Sequence, residues 1–384
     1  MRTQRIYLDH AATSWPKPES VLAATDAYSR HIGAASGRGQ YTSANRADGI
    51  VASVRRQIAN LISAEASDTI ALFNNGTTAL NAAITGILCD GDHVVTTAAE
   101  HNSVLRPLFH LNEVGRISLT ILDCDRDGLV DPVAITEHLR ETTKLVAVNS
   151  ASNVTGTLQP ITEIAQCLAN HHAAFLVDAA QTFGYLPIDV TVIGIDLLAA
   201  PGHKGGSGPQ GTGFLYVSPK WHDRVAPSTF GGTGTQSESL EMPTTMPAKL
   251  EAGNLNVPAL AGWAAGLKEL VDRGKTLQTQ HCKALAEQLH HGIRAIEAIE
   301  LFGKGDDLPI ASIRMAPFSP NDLAAILDAE FGIETRAGLH CAALIHSHLG
   351  TSPEGTLRIS GGNATTAEEV DHLLDALRTI VAEA

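Results

Sequence analysis

The sequence has no excess of basic residues. It contains 27 Lys and Arg against 41 Asp and Glu, which gives a formal net charge of −14 at pH 7. Because no block of Lys and Arg interrupts this acidic balance, the charge argues against a nucleic-acid partner or a membrane-surface role. An acidic surface mainly favours solubility.

Long apolar runs and paired cysteines are missing as well. No apolar run reaches the roughly 18 residues of a membrane span, and the first residues lack a signal-peptide apolar region. The five cysteines, Cys89, Cys124, Cys167, Cys282 and Cys341, have unrelated spacings and include no C-x-x-C pair. We therefore expect neither a disulfide framework nor a metal site, and a cytoplasmic protein with no membrane partner.

The 384 residues, 44% of them hydrophobic, are too many for one compact core. Strands and helices alternate along most of the chain, which predicts an α/β fold with a mostly parallel sheet and helices on both faces. From about Val257 the pattern becomes helical. We predict an N-terminal arm over residues 1–15, a large domain over 16–256 and a small C-terminal domain over 257–384.

One lysine has an unusual sequence environment. Lys204 follows an apolar run, residues 197–201, that predicts a buried parallel strand, and Gly205 and Gly206 leave little bulk around its amine. A solvated surface charge is the ordinary interpretation of a lysine. The alternative here is an amine that bonds covalently to a carbonyl cofactor.

A carboxylate stands in a comparable position. The hydrophobic strand over residues 173–177 ends in Asp178, and ligands of open α/β sheets collect at the carboxyl ends of strands. A helix cap would be the ordinary role of such an aspartate. Paired with a lysine on a neighbouring strand end, it is instead the arrangement that pyridoxal phosphate (PLP) requires, because the acid keeps the pyridine ring protonated.

A third strand end carries a possible anion site. Gly76, Thr77 and Thr78 follow a strand over residues 69–73 and begin a helix. Free backbone N–H groups and the helix dipole at such a start bind phosphate, and two hydroxyls add donors. An ordinary helix cap is the competing interpretation.

The order of these pieces resembles the class V, fold-type I aminotransferases, and within them the cysteine desulfurases. The resemblance extends from Tyr7 to Ser360 and is carried by Asn75–Thr78, Glu100–Asn102, Ser152–Gly156, Asp178–Gln181, Gly202–Lys204 and Arg336–Ala342. It implies an aspartate aminotransferase-like fold. The large domain would hold a mostly parallel seven-stranded sheet, and a smaller α+β domain would pack with the arm and carry the catalytic cysteine loop.

The resemblance also implies residue roles. Lys204 would attach the cofactor and take the Cα proton of the substrate, and His101 would stack on the ring and exchange protons, for which an imidazole pKa near 6.5 is suited. The residues implied to bind PLP are Gly76, Thr77, Thr78, His101, Asn153, Asp178, Gln181, His203, Lys204 and Asn254. Those implied to bind substrate are Asn153, Arg336 and Arg358, the last as a clamp on the α-carboxylate.

Cys341 decides the subclass. A cysteine is most often a small buried hydrophobe, but this one follows Arg336 and His340, a cation and an imidazole that favour the reactive thiolate. The resemblance implies that Cys341 attacks the sulfur of L-cysteine (or the selenium of selenocysteine), which leaves a persulfide and L-alanine. The short segment between Cys341 and Arg358 resembles a compact-loop subgroup that often works with a sulfur-acceptor protein.

The same resemblance implies a homodimer in which the polar, glycine-rich stretches 33–46 and 230–256 complete the neighbour's site. Other functions remain open: a selenocysteine lyase or another C–S lyase, a class V aminotransferase in which Cys341 is incidental, and a PLP-binding partner protein without turnover. Four residues depart from the family pattern: Pro201 replaces a phosphate-binding serine, His10 an asparagine, Tyr41 a histidine and Asn254 a threonine.

Overall fold

The structure is a computed structural model that describes residues 5–236, 238–305 and 307–384. Residues 1–4 of the predicted arm and Ser237 of the predicted long loop lie outside the described residues. Within the described part no helix is long and apolar enough to cross a membrane.

The described residues form thirteen strands and twelve α-helices. The strands are β1 (Ile6–Tyr7), β2 (Ile70–Phe73), β3 (His93–Thr97), β4 (Ser118–Leu122), β5 (Thr143–Asn149), β6 (Ala174–Asp178), β7 (Leu197–Pro201), β8 (Gly213–Val217), β9 (Glu300–Phe302), β10 (Ile310–Arg314), β11 (Ile333–Glu334), β12 (Arg336–Gly338) and β13 (Thr356–Ser360). The helices are α1 (Glu19–His31), α2 (Thr42–Leu61), α3 (Gly76–Ile87), α4 (Asn102–Glu113), α5 (Pro132–His138), α6 (Ile161–Leu168), α7 (Val190–Ile193), α8 (Val257–Arg273), α9 (Lys275–Arg294), α10 (Pro320–Phe331), α11 (Ile345–His348) and α12 (Ala367–Glu383).

The larger sheet has seven strands in the order β2-β8-β7-β6-β5-β3-β4. Strand β8 is antiparallel to both of its neighbours and the other pairs are parallel, so the predicted fold class is confirmed. Residues of β6 and β7 alternate between two cores on opposite faces: Phe175 and Leu198 belong to one, Leu176 and Leu197 to the other. Apolar side chains on both faces explain why these strands are continuous hydrophobic runs in the sequence.

The second sheet is antiparallel, with the order β12-β13-β10-β9. Helices α9, α10 and α12 pack on it through a third core that includes Leu289, Leu327 and Leu373. A capping box formed by Thr366 and Glu369 begins α12. Strand β1 of the N-terminal arm pairs with β11 in a separate two-stranded sheet, and a parallel bridge from Asp9 to Ser360 of β13 joins the arm to the smaller sheet.

Three segments differ from the sequence-based assignments. Helix α2 begins at Thr42, inside the polar, glycine-rich stretch 33–46, and buries Ala44 in its first turn. Residues 336–338 form strand β12 instead of loop, since backbone pairing with β13 extends the sheet. Helix α8, predicted to open the small domain, packs Trp263 in the core of the large sheet.

The titration of His10 leads to a prediction about stability. His10 is 2% exposed, and burial lowers its pKa from 6.5 to about 4. Above pH 6.5 the imidazole is mostly neutral in both the folded and the unfolded protein. Between pH 6.5 and 4 it binds a proton in the unfolded chain but remains mostly neutral in the folded protein. The free energy of unfolding should therefore fall as the pH drops towards 4.

The matched variant is His10→Asn, which restores the asparagine typical of the family. Between pH 6.5 and 5 the wild-type protein should lose about 2 kcal/mol more unfolding free energy than the variant. Urea unfolding of both proteins across this range measures the difference. Parallel stability curves would show that His10 titrates normally in the folded protein.

Candidate active site

The site lies at the carboxyl edge of the large sheet. Strands β5, β6 and β7 end at Asn149, Asp178 and Pro201, and Asn149 is the partner of Asp178 in register. A cavity of about 200 Å³ opens there, as expected for an open α/β sheet. Eight of the residues predicted to bind the cofactor line it: Gly76, Thr77, His101, Asn153, Asp178, Gln181, His203 and Lys204. Thr78 and the exposed Asn254 do not.

Lys204 lies in the turn that follows β7 and extends into the cavity. Burial lowers the pKa of its amine from 10.5 to about 8, with Asp178 opposing the shift and Arg358 and Arg336 adding to it. An amine with this pKa is partly unprotonated near neutral pH, and the neutral amine is the form that attacks a carbonyl carbon.

Asp178 is buried at the end of β6. One of its oxygens, Oδ1, accepts a hydrogen bond of 2.9 Å from the Ala180 N–H. Burial raises the pKa of the carboxyl, and the Ala180 hydrogen bond and the charge of Lys204 oppose that rise. A carboxylate in this setting is stable as an ion only beside a cation, so the site favours a cationic group in the cavity.

His101 caps the N-terminus of α4. Its Nδ1 accepts a hydrogen bond of 3.0 Å from the Ser103 N–H, an arrangement that assigns the ring proton to Nε2. The Ser103 hydroxyl lies 2.8 Å from the same Nδ1 and 2.7 Å from the Thr77 hydroxyl. Burial, and next the charge of Lys204, lower the pKa of His101 to about 4. The imidazole is therefore neutral near pH 7, rather than poised near 6.5 as the sequence suggested.

The first residues of α3 form one wall of the cavity, and Gly76 packs closely against Pro201. A Cβ on Gly76 would lie 3.0 Å from Pro201 Cδ, which explains the glycine next to the proline that replaces the family's serine. The Asn75 side chain accepts a hydrogen bond of 2.8 Å from the Thr78 N–H, and the Thr78 hydroxyl donates to the Asn75 carbonyl at 3.0 Å. Asn75 is thus the N-cap of α3, and Thr78 is the residue whose N–H it caps.

Gln181 and His203 link the cavity to the N-terminal arm. The Gln181 Nε2 donates to the carbonyl of Ala11 at 3.2 Å, and its Oε1 is buried without a partner among the described residues. The Nδ1 of His203 lies 3.1 Å from the Thr13 hydroxyl. Burial lowers the pKa of His203 to about 4, so this ring is neutral too.

The Cys341 loop is fastened to the cavity wall at two points. The carbonyl of Cys341 accepts a hydrogen bond of 2.8 Å from the Asn102 N–H at the start of α4. The carbonyl of His340 accepts one of 2.6 Å from Nδ2 of Asn153, whose side chain also lines the cavity. His340 and Cys341 have φ of +49° and +59°, a conformation that residues other than glycine adopt only where the surroundings impose it. The thiol is nevertheless exposed.

Of the two groups predicted to activate this thiol, only the cation is in place. The Arg336 Nη2 lies 3.7 Å from the Cys341 Sγ. His340 instead directs its Nε2 into the small domain, 3.1 Å from the carbonyl of Thr356, and is 2% exposed. Burial lowers the pKa of His340 far below its usual range, so it contributes no positive charge. The prediction that the imidazole of His340 favours the Cys341 thiolate is therefore wrong.

Arg358 is 1% exposed in the middle of β13. Its Nη1 donates to the carbonyl of Asn153 at 3.0 Å, and its Nη2 lies 2.6 Å from the Asp9 Oδ1. Arg336 is the cross-strand partner of Arg358 in register. Both predicted substrate arginines therefore lie on the same part of the small sheet, and both act electrostatically on Lys204.

Several contributing residues were missed at the level of sequence. Ser103 and Asn149 line the cavity, and Asp9 pairs with Arg358. Glu100 is fully buried behind them and accepts hydrogen bonds from the Thr97 hydroxyl at 2.7 Å and the Asn149 N–H at 2.9 Å. Burial raises the pKa of Glu100 to about 8. The sequence signals for these residues were the Glu100–Asn102 motif, which contains Glu100, and the start of the family resemblance at Tyr7, two residues before Asp9.

The chain matches a family model over most of its length and is similar to several cysteine desulfurases. The model of the family "Aminotransferase class-V" matches residues 6–373. A "Probable cysteine desulfurase" from Methanothermobacter thermautotrophicus is 36% identical over 381 residues, 98% of this chain and 94% of that protein. A cysteine desulfurase from Pectobacterium carotovorum is 30% identical, covering 97% of this chain and 92% of that protein. The apo structure of a Thermococcus onnurineus cysteine desulfurase matches with a TM-score of 0.91 at 29% identity, covering 99% of this chain and 95% of that one.

Proposed function

The chain belongs to the class V aminotransferase family, and from this premise we propose that it is a PLP-dependent cysteine desulfurase that converts L-cysteine to L-alanine. The observation that carries the proposal is the position of Asn153. Its side chain lines the cavity that contains Lys204 and also holds the backbone of the Cys341 loop. This contact links the cavity that contains Lys204 to the loop that carries the exposed Cys341, which supports a role for both in one reaction.

The residues of the cavity fit PLP. Asp178 is a buried carboxylate that requires a cation, which a protonated ring nitrogen supplies. The unpartnered Oε1 of Gln181 is a buried acceptor for which a polar ligand would provide a donor. Gly76 keeps side-chain bulk away from the helix start that would hold the phosphate. Lys204 would bond to the aldehyde carbon.

When bound, PLP supplies an electron sink that allows the Cα–H bond of the substrate to break. The amine of Lys204, with its pKa lowered to about 8, takes that proton in its neutral form. Neutral His101 carries its proton on Nε2 and offers it into the cavity as a hydrogen-bond donor. Arg358 binds the α-carboxylate of the substrate.

Cys341 performs the sulfur transfer. Its thiolate attacks the substrate sulfur, an S–S bond forms as the C–S bond breaks, and the electrons of the C–S bond remain with Cβ. That carbon takes up a proton and becomes the methyl group of alanine, so no external oxidant or reductant is consumed. The nearby guanidinium of Arg336 stabilises the thiolate by Coulomb attraction. Because Cys341 is exposed, we propose that a sulfur-acceptor protein collects the persulfide sulfur. We also propose that the enzyme works in the cytoplasm.

Product analysis tests this function. The purified protein with PLP, L-cysteine and a thiol reductant should produce alanine and sulfide in equal amounts. Amino-acid chromatography distinguishes this from pyruvate and ammonia, the products of a β-eliminating lyase, and from a keto acid that retains the sulfur, the product of an aminotransferase. Either of those results would replace the desulfurase assignment.

We also propose a homodimer. Large apolar side chains are exposed in the two stretches predicted to reach a neighbouring site: Tyr41 in the first, Phe230 and Leu240 in the second. Apolar side chains of this size on glycine-rich loops are typical of an interface. Sedimentation analysis should give twice the monomer mass at assay concentrations. A monomer with full activity would contradict the proposal.

A further inference from the structure

The N-terminal arm contacts both reactive ends of the proposed site. Asp9 follows β1, and its backbone is fixed by a parallel bridge to Ser360, whose carbonyl accepts the His10 N–H at 3.1 Å. The Ser14 N–H of the arm and the amine of Lys17, two residues beyond the arm, donate to the carbonyl of His203 at 3.0 and 2.7 Å. That carbonyl immediately precedes Lys204. The arm therefore connects the Lys204 turn to the strand that carries Arg358.

The Asp9–Arg358 pair resolves an electrostatic conflict. Arg336 and Arg358 stand directly opposite each other on antiparallel strands, where like charges destabilise a sheet. Arg358 is almost completely enclosed, whereas 20% of the Asp9 side chain remains exposed. The arm thus provides the counter-charge that keeps a buried guanidinium next to a second one.

The contacts of Arg358 also fix its orientation. Nη1 is held by the Asn153 carbonyl and Nη2 by Asp9, while Nε is buried without a partner among the described residues. A planar guanidinium held at two nitrogens cannot rotate. Nη1 and Nη2 each carry a second N–H whose direction is then fixed as well, which is the condition for recognising a carboxylate with defined geometry.

We propose that Asp9 is a positioning residue that orients Arg358, so that Arg358 can select substrates carrying an α-carboxylate. The inference rests on the proposed function. When the substrate carboxylate binds, the two positive charges of Arg336 and Arg358 are balanced by two negative charges, that of Asp9 and that of the carboxylate. Without Asp9, one arginine contact is lost and the guanidinium is free to turn away from the substrate.

The experiment compares Asp9→Asn and Asp9→Glu with wild-type holoenzyme. L-alanine, which carries the α-carboxylate, and ethylamine, which lacks it, are titrated separately against the absorbance of the bound cofactor. Asp9→Asn should weaken L-alanine binding by about tenfold or more, the effect of losing one charge-assisted contact, and leave ethylamine binding unchanged. Asp9→Glu should recover part of the loss. The KM for L-cysteine should rise far more than kcat falls.

Asp90→Asn is the matched control, because it removes an arginine partner (Arg116) from the exposed surface. It should leave both affinities unchanged. Unchanged L-alanine binding in Asp9→Asn, or an equal loss for L-alanine and ethylamine, would overturn the proposal, the second result because it indicates a general structural defect. These binding measurements need no turnover. A wild-type protein that binds L-alanine in preference to ethylamine but does not desulfurate cysteine would refute the proposed function alone.

Discussion

Replacing Cys341 with alanine should reduce alanine formation from L-cysteine by orders of magnitude and leave the cofactor bound. Cofactor attachment and Cα deprotonation depend on Asp178 at the end of β6 and on Lys204 in the turn after β7, whereas the thiol lies between β12 and α11. The variant should therefore still change its absorbance when cysteine is added. Only the step that needs a nucleophile at the substrate sulfur is lost, and each 1.36 kcal/mol added to its barrier lowers the rate about tenfold.

Cys89→Ala is the matched control for this experiment. Cys89 is also exposed, but it follows the C-terminal end of α3, whereas Gly76 at the other end of that helix lines the cavity. It should turn over cysteine at the wild-type rate. Cys124 and Cys282 are buried, and burial raises their pKa values to about 11 and 12, so neither thiol is a substitute nucleophile near neutral pH. A Cys341→Ala variant with wild-type activity would leave a lyase or aminotransferase as the better assignment.

Lys204→Ala should abolish both covalent cofactor attachment and turnover. Wild-type protein treated with borohydride should retain the cofactor on the Lys204 peptide after denaturation, and the variant should release it. Lys204→Arg retains the positive charge but has no amine that can lose its proton, so it should behave like the alanine variant. Retention of the reduced cofactor by either variant would place the attachment elsewhere.

The pH dependence of attachment follows from the same amine. Because its pKa is lowered to about 8, the rate of cofactor attachment to apoprotein should increase as the pH rises through 8 and level off above it. An unperturbed lysine would continue to gain rate to about pH 10. Stopped-flow absorbance at several pH values separates the two cases.

The sequence predicted those parts of the site that depend on strand ends. Buried strands appear as continuous apolar runs, and parallel strands bring their carboxyl ends to one edge, so Asp178 and Lys204 could be placed together before any coordinates. The helix start at Gly76 follows from the same logic. The resemblance to a known family added the identities of the remaining cavity residues.

Features that depend on tertiary contacts could not be predicted. Asp9 and Arg358 are 349 residues apart in the chain, and no local pattern indicates that they pair. His340 was adjacent to Cys341 in sequence, yet the positive φ of both residues turns the imidazole into the small domain and leaves the thiol outside.

The central claim is that Cys341 accepts sulfur from cysteine, and the mass of the protein tests it most directly. Wild-type protein with bound PLP is mixed with L-cysteine in the absence of any reductant or acceptor, and its peptides are then analysed by mass spectrometry. The peptide containing Cys341 should gain the mass of one sulfur atom, in proportion to the alanine released, and the Cys89 peptide should gain none. Alanine release without added sulfur on Cys341 would contradict it.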